Sequence, residues 1–488
     1  MSMQRTKCDR CGDRQHTGGE IAVFNRGTMR RQIVSGIIML PILTAGLTGC
    51  QDKEPTVLQQ TEATDGDELT VEPKYKTVTE AMDWGPAITK VILEMGVTVD
   101  GSTIDTKSFL VSSERKFKGL DLTTGRTVSD VYVSDADGNR DSTGACITIE
   151  MEVGPEMAEA SPFNYDLASG FNQYVETTYL IEAAENAGLR AADGRALKMG
   201  ATDASDNQGN INMIADTFDC TGSYSDETSG ITLSYASYQP ENARNGETPL
   251  IIWLHGAGEG GTDPTIAIMG NKVVNLATED IQRYFGETGA EVLVPQTQTM
   301  WMDNGEGRYM DTTDPGAGIS YYTEALMGLI ETYVSNHGEI DTDRIYIGGC
   351  SNGGYMTVNM LTAYPEYFAA AFPVCEAYEE AWLDDEKIAR LKNIPIWMTA
   401  AKSDRMVLTE NHSSALYNRL VAAGAQDIHY SLFENVVDTS GKYFQKDGVT
   451  PYEYQGHWSW IYTLNNECVE ETDGGEVSIF EWLAQQSK

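Results

Sequence analysis

Positive charge is scarce in this chain: 34 Lys and Arg stand against 73 Asp and Glu, a formal charge of −39 over 488 residues. The first 50 residues hold seven basic and three acidic side chains, so the remainder carries −43 by subtraction. Such a surface repels nucleic acid and anionic headgroups, and large acidic polymers are poor substrates for it. Cysteine is sparse and scattered. Beyond Cys50 lie only Cys146, Cys220, Cys350, Cys375 and Cys468, an odd number spread over more than 300 residues. That spacing excludes a disulfide scaffold and leaves at most an isolated bridge. Histidine is rarer still, with six in the chain, and nowhere do His, Cys and carboxylates cluster at metal-ligand spacing, so neither metal nor cofactor is expected. Long apolar runs are missing too, apart from Met29 to Cys50, which Gly36 and Pro41 interrupt.

That one apolar segment, "MRRQIVSGIIMLPILTAGLTGC", is too short and broken for a comfortable membrane span and has the charged and apolar regions of a secretory signal. Its end, Leu47-Thr48-Gly49-Cys50, resembles a bacterial lipobox. The resemblance implies lipidation of Cys50 and anchorage at the extracellular face of a bacterial cytoplasmic membrane, with a plain signal or anchor helix as the alternative. The basic residues 1–28, with Cys8 and Cys11 as a weak metal-like pair, sit awkwardly upstream, so the true start is Met1 or Met29.

Residues 51–74 are acidic and poor in large apolar groups, as expected of a disordered tether. From Tyr75 to about Glu185 come short β-favouring runs, such as "TKVILEMGVTVD" and "ACITIEMEVG", parted by turn pairs like Asp100-Gly101 and Asp137-Gly138. They suggest a small antiparallel sandwich. Asn186 to Asn212 reads as a loose connection with at most one more edge strand, which puts sandwich and connection at 75–212. From 213 to 488 the texture changes to buried strands alternating with helices. "PLIIWLHG" and "EVLVP" are continuous apolar runs of parallel-sheet type, and "GISYYTEALMGLIETYV" places Ile319, Tyr322, Leu326, Ile330 and Tyr333 on one helical face. This alternation argues for one doubly wound α/β domain.

In "RIYIGGCSNGGYMT", Gly349-Cys350-Ser351-Asn352-Gly353 fits G-x-S-x-G at the junction of an expected strand and helix. That context marks a nucleophile elbow, in which the flanking glycines let backbones approach closely. A serine hydroxyl is a weak nucleophile unless a base takes its proton, so a histidine must serve it. His255 and His337 precede the serine, His412 lies in an expected helix, and His429 in a strand, which leaves His457 of "YQGHWSW". The acid belongs in the loop after "IPIWMTA", where Asp404 stands 53 residues after Ser351 and 53 before His457. Asp384, Asp385 and Asp438 fit less well. An oxyanion needs two donors: the amide of Asn352 at the positive end of the following helix, and an amide from "HGAGEGG", with Ala257 preferred over Gly258.

"LHGAGEGG", "DRIYIGGCSNGGYMT", "AAKSD" and "GHWSW" together resemble secreted bacterial carboxylesterases of the α/β-hydrolase superfamily, of the feruloyl-esterase and polyhydroxybutyrate-depolymerase branch, and more distantly prolyl oligopeptidases. One group of these carries an amino-terminal immunoglobulin-like domain, which the sandwich resembles in architecture. The resemblance implies a serine carboxylesterase acting on short-chain or polysaccharide-linked acetyl or feruloyl esters. In some tannase-like relatives a cysteine before the serine pairs with one directly after the histidine. Here Trp458 follows His457, so Cys350 is expected as a buried thiol and Cys375 as packing. Trp301, Met302, Trp458 and Trp460 are read equally as pocket lining or plain core. The alternatives are a prolyl-oligopeptidase-like peptidase, disfavoured because no propeller precedes the hydrolase, and a non-catalytic surface lipoprotein whose sandwich grips polysaccharide.

Overall fold

Strand β15 (Thr248–Leu254) shows how the catalytic half is built: all seven residues are buried, and they alternate between two cores. Ile251 and Trp253 pack into one cluster with Ile479, Phe480 and Leu483. Leu250, Ile252 and Leu254 pack into the other with Leu326, Leu329 and Ile330 of the helix Thr323–Asn336. A strand covered on both faces has no reason to alternate apolar with polar, which is why the sequence reads as a continuous apolar run.

The computed structural model describes residues 68–488 apart from 315 and 473, and these fall in a single compact unit. Cys50, the signal-like segment and the acidic stretch up to residue 67 lie outside the described residues. In the catalytic half an eight-stranded sheet runs in the order β13 (Asp219–Ser225), β14 (Thr232–Tyr238), β16 (Glu291–Gln296), β15, β17 (Ile340–Cys350), β18 (Ala370–Val374), β19 (Ile396–Ala401), β20 (Ile428–Phe433). The six strands from β16 to β20 are parallel; β14 runs antiparallel to β16, and β13 antiparallel to β14. This is the α/β-hydrolase arrangement.

The amino-terminal half is an immunoglobulin-like β domain. Its five-stranded sheet has the order β12 (Asn207–Ile211), β2 (Lys74–Met82), β3 (Gly85–Glu94), β7 (Cys146–Met151), β6 (Val128–Ser134). The facing sheet is β10 (Glu176–Ala183), β4 (Phe109–Phe117), β5 (Leu120–Arg126). Val91, Leu93, Ile147 and Ile149 of the first share a core with Phe109, Val111, Tyr179 and Ile181 of the second. Each such side chain contributes roughly 1.5–3 kcal/mol on burial. Outside the two sheets, β8 (Phe163–Asp166) and β9 (Phe171–Tyr174) form a separate hairpin.

Three expectations are corrected. Within the tether, Glu68–Val71 forms a strand, β1, paired in parallel with β11 (Ala196–Met199). Its acidic flanks hid an alternation that tucks Val71 into the sandwich core. The connection Asn186–Asn212 is likewise not loose: it supplies both β11 and β12, the latter parallel to β2, so the sandwich is not purely antiparallel. Ile319 lies outside the helix, which begins at Thr323, and is 60% exposed.

Candidate active site

The serine elbow forms because β17 must end where the helix Asn352–Ala363 begins, with no room for a gradual turn. Ser351 takes up that reversal at φ 56° and ψ −114°, a left-handed conformation costing a non-glycine residue on the order of 1–3 kcal/mol. Its amide donates to Val374 O at 2.9 Å, which ties the turn to β18. The two motif glycines are steric necessities. A Cβ at Gly353 would stand 1.9 Å from Leu254 O, and one at Gly349 would stand 2.5 Å from the same oxygen. Gly354, outside the motif, is pressed against Glu376 in the same way.

His457 reaches this serine from a 3₁₀ turn, Gly456–Trp458. Its Nε2 lies 2.9 Å from Ser351 Oγ and its Nδ1 lies 2.8 Å from Asp404 Oδ2. Asp404 sits just past β19, and its Oδ1 accepts from the amides of Met406 (2.8 Å) and Val407 (3.0 Å). Burial pushes the Asp404 carboxyl up, but the hydrogen bond and charge of His457 and the two amides outweigh it, and the net shift is downward. The buried carboxylate therefore stays ionised and fixes the ring with its proton on Nδ1, leaving Nε2 free to accept from the serine. The structure thus brings Ser351, His457 and Asp404 into one chain of hydrogen bonds. It does not draw in the other acids: Asp384 caps the helix Asp385–Leu391, and Asp438 accepts from its own loop at Ser440 and Gly441.

The other histidines among the described residues have structural partners; His337 bonds Tyr333 O at 2.8 Å and stacks on the Tyr333 ring. Thr297 N–H donates to Nε2 of His255 at 3.1 Å, so that ring carries its proton on Nδ1 and gives it to Gly256 O at 2.6 Å. Burial pushes its pKa down to about 4, so the ring is a neutral brace for the turn below. His412 bonds Leu408 O, and His429 lies between Asp427 and Glu470 and stacks on Trp397.

Of the two expected oxyanion donors, Asn352 is the first residue of its helix, where backbone amides have no intrahelical acceptor. Ala257 opens the 3₁₀ turn Ala257–Glu259 and lines the same cavity as Ser351 and His457. That cavity measures about 570 Å³. Trp458 and Trp460 line it, whereas Trp301 is fully buried in the core below the sheet. Cys350 is also buried, its thiol pushed well up by burial and held 3.5 Å from Asn271 Oδ1. All five cysteines among the described residues are free thiols.

Sequence reasoning missed one wall. Asp83 and Trp84, from the turn between β2 and β3, line the cavity together with Phe163, Tyr165 and Asn172 of the β8–β9 hairpin. The amino-terminal domain therefore supplies one wall of the site, and nothing in the local sequence of a sandwich turn signals that. Glu259 was also missed. It lines the cavity, is 5% exposed, and accepts from Asn172 Nδ2 at 3.0 Å. The available signal was a lone charge inside a glycine-rich loop between two buried strands. The two halves are tied nearby by Lys272, whose Nζ donates to Asp83 Oδ1 (2.7 Å) and Asn465 Oδ1 (3.0 Å).

Fold and site together define a serine hydrolase. The comparisons narrow this to the esterases. Residues 74–198 match the esterase Ig-like N-terminal domain family, and residues 323–380, which hold the elbow, match the prolyl oligopeptidase family. Among solved structures, one described as a thermostable esterase is 25% identical, covers 85% of this chain and 100% of its own, and superposes with a TM-score of 0.67. An S-formylglutathione hydrolase from Agrobacterium tumefaciens is 16% identical, with 55% of this chain and 94% of that one covered and a TM-score of 0.34. A ferulic acid esterase from Anaeromyces mucronatus is 14% identical, with 44% and 82% covered and a TM-score of 0.34. The last two likenesses are too slight to carry an argument. No curated protein sequence matches the chain. The protein is a carboxylesterase-type serine hydrolase: an α/β-hydrolase domain preceded by an immunoglobulin-like domain.

Proposed function

We propose that this chain hydrolyses short-chain or polysaccharide-linked esters, acetyl or feruloyl, through an acyl-enzyme on Ser351. The observation that carries the reading is the hydrogen-bonded series Ser351, His457, Asp404 opening into a cavity with aromatic walls. Ser351 Oγ attacks the ester carbonyl while its proton passes to His457 Nε2. The oxyanion is met by the amides of Asn352 and Ala257. As the C–O bond of the tetrahedral adduct breaks, the imidazolium returns its proton to the departing alcohol. Water then repeats the cycle on the acyl-enzyme and releases the acid. Asp404 holds the tautomer and stabilises the imidazolium throughout.

Acetyl, butyryl, octanoyl and feruloyl esters, each assayed on wild type and Ser351→Ala, test this. The expectation is activity on acyl chains of about two to four carbons, with loss by several orders of magnitude in the variant. A strong preference for octanoyl or longer esters overturns the short-acyl reading, and cleavage of peptides alone makes the protein a peptidase of the family matched at 323–380. A fluorophosphonate that fails to label Ser351 in folded wild type removes the enzyme reading.

The proposed location is the extracellular face of a bacterial cytoplasmic membrane, anchored through a lipidated Cys50, because the sequence ending Leu47-Thr48-Gly49-Cys50 resembles a lipobox. Stable anchoring of this kind takes more than one acyl chain. Fractionating a bacterial host that expresses wild type or Cys50→Ala tests it: wild type belongs with the membrane and the variant in the soluble fraction. Wild type found free in the medium ends the anchor proposal.

A further inference from the structure

The loop carrying one oxyanion donor is clamped from both sides. On the sheet side, Gln296 Nε2 donates to Glu259 O (2.8 Å) and Asp263 O (3.0 Å), and Gly261 N donates to Thr297 O (2.8 Å). A Cβ on Gly260 would come within 1.9 Å of Thr299 O. On the other side stands the hairpin β8–β9 of the amino-terminal domain. Its Phe171 ring edge lies 2.8 Å from where that same Cβ would be, and Tyr165 and Asn172 lie over Gly258. The side chain that joins the two sides is Glu259. It turns back under its own loop so closely that a Cβ on Gly256 would meet Oε2 at 2.8 Å and one on Gly270 would meet Cγ at 2.8 Å. Its remaining oxygen accepts from Asn172 Nδ2.

Among the described residues no cation is hydrogen-bonded to this carboxyl. It shares the cavity lining with Cys350 and Tyr309, and burial pushes its pKa up to about 7. An unpaired buried carboxyl is expensive, and its presence calls for a task that an apolar side chain cannot do. Here that task is geometric. The turn Gly256–Glu259 has one internal backbone–backbone hydrogen bond, Glu259 N to Gly256 O at 3.3 Å, and the amides of Gly256 and Glu259 also lie against the carboxyl and lower its pKa, so the shape of the turn depends on that side chain and on what grips it.

We propose that Glu259, held by Asn172 of the immunoglobulin-like domain, is a positioning residue that fixes the turn bearing Ala257 against Ser351, making the amino-terminal domain part of the catalytic apparatus. This rests on the reading of Ser351 as nucleophile. An oxyanion donor acts mainly in the transition state, so loosening its loop lowers kcat more than it alters KM. Packing without positioning would instead lower stability and leave the kinetics of the folded fraction intact.

The experiment uses the full chain and 4-nitrophenyl acetate, with active sites counted by fluorophosphonate. Asn172→Ala, Glu259→Ala, the double variant and Glu259→Gln are compared. The expected result for Asn172→Ala is a fall in kcat of about tenfold per active site with KM within about twofold. Glu259→Gln, whose amide oxygen still accepts from Asn172 and whose shape copies the protonated acid, should recover most of kcat. The double variant should be no worse than Glu259→Ala, because both single changes break one contact. Wild-type kcat in Asn172→Ala overturns the proposal, as does a loss confined to KM or a Glu259→Gln variant as slow as Glu259→Ala. Ser351→Ala run alongside separates the two readings: if it stays active the nucleophile assignment fails, whereas a silent Asn172→Ala beside a dead Ser351→Ala sinks only the positioning role.

Discussion

His457 Nε2 stands 2.9 Å from Ser351 Oγ although 106 residues separate them in the chain. The pair is useful only because Asp404 settles which nitrogen of the ring carries the proton. Asp404→Asn keeps the shape and removes the charge, and its amide invites the other tautomer. The expected outcome is a kcat lower by about 10³–10⁴-fold with KM little changed and the melting temperature within a few degrees of wild type. Steady-state kinetics on an acetyl ester check this, and a loss below about tenfold means another group orients the ring.

Gly353→Ala tests the elbow's steric logic. Its new methyl would lie 1.9 Å from Leu254 O, backbone that belongs to a central strand and cannot yield. Overpacking of this sort typically costs about 1–3 kcal/mol or more, so the variant should be poorly soluble or melt several degrees lower, and the soluble part should label slowly with fluorophosphonate. A variant with wild-type melting and labelling contradicts the close approach.

Two buried groups of one turn respond to pH in opposite senses. His255 has its folded pKa depressed to about 4 from 6.5. Between those values the unfolded chain binds more protons, so His255 weakens the fold as pH falls. Glu259 has its folded pKa raised to about 7 from 4.5. The folded chain then binds more protons in that window, so Glu259 strengthens the fold as pH falls, by about 3 kcal/mol in all. Glu259→Gln deletes only the second response. Urea unfolding across the window should show wild type gaining on the variant by about that amount between pH 7 and pH 4.5. A constant difference means the carboxyl is solvated.

Lys272→Met removes the cation that ties Asp83 of the amino-terminal domain to the loop at Asn465. Asp83 keeps only Asn465 Nδ2 at 3.3 Å, and its side chain is 9% exposed. The expected loss is about 1–3 kcal/mol, tempered because the lysine itself is partly solvated. Urea unfolding measures it. An unchanged midpoint would show the tie to be idle.

The sequence was most readable where a single local requirement dictates the residue. The glycines around Ser351, the apolar run of β15 and the aspartate past β19 each answer to their own neighbourhood, and each is where the pattern put it. Reading faltered where a segment's role depends on a distant partner. Glu68–Val71 is a strand because Ala196–Met199 lies beside it, a pairing across more than 120 residues that composition cannot express. Trp301 and Trp458 look alike in sequence, yet one is sealed beneath the sheet and the other lines the cavity. Asn172 carries no signal in its own neighbourhood, and only the fold sets it against Glu259.

The parts of the cavity also follow one another in the order of synthesis: the hairpin 163–174, the turn 257–259, Ser351, Asp404 and last His457. Chains emerge and fold from the amino end, domain by domain. The wall made by the immunoglobulin-like domain thus exists before the nucleophile does, and the nucleophile before its base. A nascent or prematurely ended chain that stops short of His457 carries Ser351 without its hydrogen-bond partner, so the proposed acyl transfer would need the last part of the fold in place. Copies that lack His457 should therefore be slow by several orders of magnitude, as expected when the base of such a series is missing.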